Sequence, residues 1–590
     1  MKKILSLLLA LILLLLPVLG GCVGVTPNGS ETPSDPGNTT PPAPDPPKHV
    51  HAWATVYSFD ATHHWLVCSG CAEKSENAEH TYTDGVCTVC NSEAPVGSYP
   101  WEKTALLLQT SDNSSRGDLT STSRRYLAGT SADDAPIDAL VDERNTRAEA
   151  FVNVEVAFDY WPENIAKHTW SRDINEIVEI TRSTNAKRPD IYCTYVYDML
   201  GATLEGCFLN VLSSKKGTNY FRFLASDYDP SVNEEGYMYE YMSSLTLRQD
   251  KVYLIASDYF VDLTRAFFAL PVNLTLLADY GAVTTDVDGD TDVDFDDLVA
   301  LVEQGKWTYE LLMAYCEAVA EDNTAGADAR ARIGFSLDQS EGGSAAALLY
   351  SSGISFIQRS GGPLTDVFYR YPDTNADYAA FSGKLEALVK TSGVQVVTKD
   401  DGGLGAIRDA FKTGGVLFGG VDTVGSLEAY RERIEDGTLG ILPIPLCEAP
   451  AQGAAFSYRT QIHNVGRLGA IAVGTASFSQ CTAYLNYVST HSGRILDAYY
   501  ESFGSGANAR MLRRLRDDLT SGFEKVFEDA MLLKDVQKED LWHYILKDGG
   551  AFEMDPFCLG ASLESNYLSV VESKKAALQF ILGKFEDLKN

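Results

Sequence analysis

The sequence predicts an α/β protein with two large domains behind a tethered N-terminal extension. Three observations lead there. From Trp101 onward, apolar runs of strand type alternate with segments of helical spacing. Residues 23 to 48 hold eight prolines and almost no bulky apolar side chain. Between these two regions sits a dense group of cysteines and histidines. A chain of 590 residues has room for two large domains plus appendages.

The first element is a secretory signal over residues 1–21. Lys2-Lys3 precede an apolar stretch from Ile4 to Leu19, and small residues close it at Leu19-Gly20-Gly21-Cys22. The stretch falls short of the ~20 residues that a membrane span needs. The run ending at Cys22 resembles the lipobox of bacterial lipoproteins. That resemblance implies cleavage before Cys22, lipid on its thiol and amine, and a mature chain on the extracellular face of the bacterial cytoplasmic membrane.

Residues 22–48 then read as a stiff, solvated tether, because such a composition cannot bury enough surface to offset its ordering entropy. In polyproline II form, at about 3.1 Å per residue, it reaches roughly 80 Å. The formal charge of −33 argues against nucleic acid, whose binding depends on Lys and Arg releasing counterions. It suits a soluble extracellular body.

Residues 49–92 form a small Cys/His module that is zinc-ribbon-like. Five of the nine histidines lie here, His49, His51, His63, His64 and His80. Cys68, Cys71, Cys87 and Cys90 form two C-x2-C pairs, and two such turns offer four thiolates to one tetrahedral Zn²⁺. His51, His64 and His80 could serve a second zinc. Two disulfides are the competing reading in an oxidising space. The scattered Cys193, Cys207, Cys316, Cys447, Cys481 and Cys558 read as buried thiols.

In the body, "KTALLLQTSD" reads as a buried strand. "AFVNVEVAFDYW" is a second, with β-branched residues alternating through Val152, Val154 and Val156. "SRDINEIVEITRSTNAKRPD" has helical spacing at Ile174, Ile177 and Ile180. "DIYCTYVYD" is a third strand, followed by the helix "MLGATLEGCFLNVL". This is the grammar of a parallel sheet covered on both faces, and such sheets bind ligands at the carboxyl ends of their strands.

Three further segments carry a resemblance: "LVEQGKWTYELLMAYCEAV" (301–319), "AFKTGGVLFGGVDTVGSLEAYRERIEDGTLGILPIP" (410–445) and "TAYLNYVSTHSGRILDAYYESF" (482–503). In order and spacing they resemble the extracellular solute-binding proteins of carbohydrate ABC importers. The resemblance covers roughly residues 100–590. It implies a two-lobed, periplasmic-binding-protein-like fold with hinge strands. The lobes are expected at about 100–262 with 414–447, and about 263–413 with 448–590. It further implies a carbohydrate ligand, permease subunits as partners and a monomer. A surface adhesion or ligand-sensing protein on the same scaffold is the alternative.

Residues 286 to 297 repeat aspartate. Asp286, Asp288, Asp290, Asp292, Asp294 and Asp297 occupy positions 1, 3, 5, 7, 9 and 12 of a twelve-residue calcium loop. The pattern resembles an EF-hand or dockerin-type loop. Thr291 stands where glycine is usual. A self-repelling acidic loop is the other reading.

Sugars present flat apolar faces and rings of hydroxyls, so aromatic platforms and carboxylates are the groups to seek. Position at strand ends selects Tyr160, Trp161, Tyr197 and Asp198 in the first lobe, and Asp258 and Tyr259 near the first crossing. In the second lobe it selects Asp422, Tyr350 and Tyr458. No G-x-S-x-G elbow, H-E-x-x-H or P-loop occurs, and the segments lack an eightfold strand–helix repeat, so a non-enzyme is expected.

Overall fold

The computed structural model describes residues 51–90, 99–519 and 582–588, with internal gaps. The signal segment, the tether with Cys22, and Cys71 and Cys558 lie outside the described residues. The chain divides into two compact units, Met1–Glu79 and His80–Asn590. That division falls inside the 49–92 segment that the sequence sets apart. Among the described residues, no helix is long and apolar enough to cross a membrane.

The first unit carries three short antiparallel strands, β1 (Ser58–Phe59), β2 (His63–Trp65) and β3 (Ala78–Glu79). His64 pairs with Phe59 on one side and Ala78 on the other. His64, Trp65 and Cys68 are buried, and the Lys74 ammonium sits 3.8 Å over the Trp65 ring. Strands this short supply little core of their own.

The second unit opens with a hairpin of β4 (Tyr82–Thr83) and β5 (Val86–Cys87). Its first lobe begins with β6 (Thr104–Ser111), α1 (Ala135–Val152), β7 (Val154–Trp161), α2 (Arg172–Arg182), β8 (Ile191–Tyr195) and α3 (Val196–Leu204). Leu106 through Thr110 are all buried, as is every residue of β8, because helices cover both faces of this sheet. Val152, expected in a strand, instead closes α1. Asn153 follows with φ of 57°, a left-handed turn that Asn tolerates, and its amide donates to the Trp101 carbonyl at 3.0 Å. β7 starts one residue later.

The chain leaves the first lobe through α4 (Val261–Arg265) and enters the second at β9 (Phe268–Asn273). There follow α5 (Phe295–Glu303), α6 (Tyr309–Ala325), β10 (Ile333–Asp338), the hairpin β11 (Gln358–Ser360) and β12 (Phe368–Arg370), and α7 (Ala376–Lys390). Next come β13 (Val394–Val397), α8 (Gly403–Lys412), β14 (Val416–Phe418), β15 (Asp422–Thr423) and β16 (Leu439–Leu442). Between α5 and α6, the buried Trp307 indole donates to the Pro443 carbonyl at 2.9 Å, pinning the Gly-Lys-Trp-Thr turn to the end of β16. α6 packs directly on β10. A Cβ on Gly334 would lie 2.5 Å from the Cys316 Cα, so only glycine permits that approach.

The chain then returns to the first lobe as β17 (Arg467–Ile471), followed by α9 (Phe478–Thr490), α10 (Gly493–Glu501) and α11 (Gly506–Asp517). The first sheet has the order β17-β8-β6-β7, with β17 antiparallel to β8. The second has the order β13-β10-β14-β9-β15, with β16 on β9. These pairings correct the expected lobe boundaries. Residues 414–447 belong to the second lobe, because β14, β15 and β16 all bond to β9. Residues 467–501 belong to the first, because β17 bonds to β8 and both α9 and α10 pack on α1. α11 packs both on α10 of the first lobe and on β16 and α5 of the second.

Three segments run between the lobes. Phe267 bridges Ile462 and Thr460 bridges Leu519 among them, while the Ile255–Gly469 bridge lies inside the first lobe. Residues 582–588 end on the first lobe, where the Lys251 ammonium donates to the carbonyls of Phe585, Glu586 and Leu588.

Candidate functional site

Strand direction places the site. In the first sheet, Tyr195 ends β8 opposite Arg467, which starts β17 directly after a crossing segment. In the second, β9 leaves the crossing at Phe268. β14 runs antiparallel to it, so Phe418-Gly419-Gly420 points back towards that crossing. β10 runs parallel to β14 and ends there too, at Asp338. Both sheets therefore present their carboxyl ends to the crossing segments.

On the first lobe this edge holds Thr110, Tyr160, Trp161, Tyr195 and Arg467. Tyr160 and Trp161 pair in register with Thr110 and Ser111. Tyr160 is half-buried, and the side chains of Trp161 and Tyr197 lie outside the described residues. Asp198 is buried in the first turn of α3. Sequence reading missed Tyr195, Arg467 and, on the second lobe, Asp338. Arg467 was legible as the one cation opening an apolar strand, and Asp338 as a carboxylate closing one.

The other expected ligand residues sit elsewhere or are engaged. Asp258 receives two bonds of 3.0 Å from the Arg516 guanidinium. Asp422 receives two from Arg408, at 2.7 and 2.8 Å. Tyr259 is fully buried beneath the Arg144 guanidinium, 4.6 Å from its ring, and its hydroxyl lies 3.2 Å from that of Tyr484. Burial raises its pKa well above the usual tyrosine value, so it stays neutral. The buried Tyr458 donates to the Val302 carbonyl at 3.0 Å, inside the second lobe. Tyr350 is buried beside Gly353.

Between the strand ends and the crossing lies a buried charge network. Arg265 on α4 donates to Glu428 through Nε at 2.7 Å and Nη2 at 2.9 Å, and to Asp262 through Nη1 at 3.0 Å. The Tyr499 hydroxyl, on α10, donates to the same Glu428 at 2.9 Å. Arg467 Nε lies 3.7 Å from Asp262, and its Nη1 donates to Thr110 at 3.4 Å. Burial alone would favour the neutral form of Arg265, but Glu428 and Asp262 outweigh it and hold the guanidinium charged. Two cations face two carboxylates, and the four come from the crossing, the first lobe and the second.

Two clusters carry ligands suited to metals. At the start of the second unit, His80, Cys87 and Cys90 bring one nitrogen and two sulfurs within 4.8 Å of one another. Cys90 Sγ lies 3.3 Å from His80 Nδ1. Burial pushes the Cys87 thiol up, but backbone N–H donors of Cys90 and Val89 and the His80 and Cys90 side chains together bring it down to about 6. In the first unit Cys68 is buried and bridged to Trp53, His51 stacks on Trp53 at 4.8 Å, and His64 meets Tyr57 edge-on.

The second cluster is the aspartate loop. Carboxylate oxygens of Asp286, Asp288 and Asp290 lie within 4.8 Å of one another on the exposed side. Asp297 is buried and accepts from the N–H groups of Val287, Asp288 and Asp294, closing the loop. Asp294 caps α5, with Asp297 completing a capping box.

No family model matches the chain, and no curated protein matches it. Solved structures do resemble it. One is the GacH receptor of Streptomyces glaucescens, studied unliganded and with acarbose. It is 13% identical, with a TM-score of 0.42, covering 81% of this chain and 99% of that one. Another is the galacto-N-biose-/lacto-N-biose I-binding protein of the ABC transporter from Bifidobacterium longum, in complex with lacto-N-biose. It is 11% identical, with a TM-score of 0.44, covering 82% and 99%. At these scores the likeness carries no argument about the ligand.

Proposed function

We propose that this chain is the extracellular binding subunit of an ABC importer, lipid-anchored at Cys22, which captures a carbohydrate between its lobes and delivers it to the permease. The observation that carries the reading is the shared edge. Two α/β sheets, joined by three crossing segments, turn their carboxyl strand ends towards the crossings. Tyr160 and Tyr195 supply aromatic surface on one side, with Trp161 next along β7, and Asp338 a carboxylate on the other. Such a pair of edges grips a polyhydroxylated ring from two sides, with closure of the lobes as the consequence. No side chain in this reading is asked to break a bond.

The test is a thermal-shift screen against a glycan panel, followed by small-angle scattering with the best ligand. A ligand that binds only the folded state raises the melting temperature, and lobe closure compacts the particle. Conversion of a bound sugar to product would move the protein to the hydrolases. Failure of every glycan alongside tight binding of a peptide would discard the carbohydrate.

The aspartate loop fits calcium in its donor chemistry, since hard carboxylate oxygens from alternate residues converge. In this reading Asp286, Asp288 and Asp290 hold the ion, with Asp292, Asp294 and Asp297 completing the loop. The ion's work is structural, neutralising an acidic turn ahead of α5.

A further inference from the structure

The two C-x2-C pairs suggest a four-thiolate site, and among the described residues of the second unit the fold sets His80 beside the second pair. Cys87 ends β5 and Cys90 lies in the turn behind it, while His80 precedes β4 on the facing side of the hairpin. The register Tyr82↔Cys87 brings the start of one strand beside the end of the other. The backbone bond from Thr88 N–H to the Thr81 carbonyl, at 2.9 Å, closes the hairpin one pair further out and carries His80 alongside the Cys turn.

We infer that His80, Cys87 and Cys90 are three ligands of one zinc-class divalent ion, bound through one imidazole Nδ1 and two thiolates. The geometry matches. Zn–N and Zn–S bonds of about 2.0 and 2.3 Å at a tetrahedral angle set nitrogen and sulfur roughly 3.5 Å apart. Cys90 Sγ and His80 Nδ1 are 3.3 Å apart, and all three ligand atoms fall within 4.8 Å of each other. The environment matches as well. The N–H groups of Val89 and Cys90 donate to the Cys87 sulfur, which orients a thiolate as outer-shell donors do at metal centres. The site differs from the two C-x2-C pairs acting together, because an imidazole takes a place otherwise given to a thiol. The fourth ligand comes from outside this triad.

A hairpin of two-residue strands has almost no core, so the ion supplies the local order that packing cannot. The proposal is independent of the sugar-binding reading.

The experiment uses the full chain, purified without chelator, and measures metal content, cobalt spectra and thiol state. One ion per chain is expected, and His80→Ala should lose it. In the cobalt form, Cys90→Ser should lower the thiolate-to-metal charge-transfer intensity by about half, because one of two thiolates goes; a four-thiolate centre loses about a quarter. The melting transition of the two-lobed body serves as the folding control for each variant. Retention of metal by His80→Ala together with its loss in Cys68→Ser would overturn the triad. So would a Cys87–Cys90 disulfide in metal-free protein.

Discussion

Glu428→Gln tests whether the buried charge network ties the lobes together. The glutamate accepts three hydrogen bonds, two from Arg265 and one from Tyr499. Glutamine keeps one acceptor oxygen and turns an NH2 group towards the guanidinium. Arg265 and Arg467 are then left with the single carboxylate of Asp262. Removing one partner of a buried ion pair costs about 3–5 kcal/mol. Glu428 keeps 27% of its side chain exposed, which places the cost near about 3 kcal/mol. An unfolding entropy of about 2.1 cal/mol/K per residue gives roughly 1 kcal/mol/K for a body of about 500 residues, so the melting temperature should fall by about 3 °C. Scanning calorimetry reads this directly. Tyr499→Phe, which removes one hydrogen bond, should cost about 1 kcal/mol and a third of that shift. In an Arg265→Met background, Glu428→Gln should cost much less, since the partner has gone. A Glu428→Gln transition superimposable on the parent's, or equal costs with and without Arg265, would refute the coupling.

Three other outcomes are expected. Trp161→Ala should weaken sugar binding by about 1–3 kcal/mol, the scale of burying one large side chain, read by calorimetric titration; an unchanged affinity removes Trp161 from the site. Adding Ca²⁺ should raise the melting temperature of the parent chain, and Asp297→Ala should abolish the rise; identical curves in calcium and in chelator leave only an acidic loop. Cys22→Ala should release the protein from membranes or leave the signal uncleaved; unchanged detergent partitioning, with no lipid mass on the parent's N-terminus, sinks the anchor.

Much of the first sheet was legible because it is buried on both faces. β6 and β8 stand out as largely apolar runs. α1 was not. Its sequence mixes charges with apolar residues, and one of those charges, Arg144, is buried. It donates to Ser492 at 3.0 Å and to the Tyr126 carbonyl at 2.9 Å, partners that local sequence cannot display. The partners of the aspartates at 258 and 422 were hidden for a similar reason. A carboxylate near a strand end looks free until the fold delivers Arg516 or Arg408 to it. Lobe membership failed because it depends on strand pairing. The Gly-Ile-Leu-Pro segment is a strand as expected, and only its bonds to β9 show which sheet it joins.

The placement of β17 sets an order on how this chain can be made. The second lobe's sheet uses a continuous stretch, Phe268 to Leu442, and can close as soon as that stretch has emerged. The first sheet cannot. Its strand β8 is wholly buried, and one flank stays bare until Arg467–Ile471 arrives, more than 250 residues after Tyr195. A nascent chain halted before that point would hold a paired second sheet and an open hydrophobic edge on the first, which is the kind of edge that recruits other strands. Such a polypeptide gains from late folding, with β8 kept from foreign partners until its own has been synthesised.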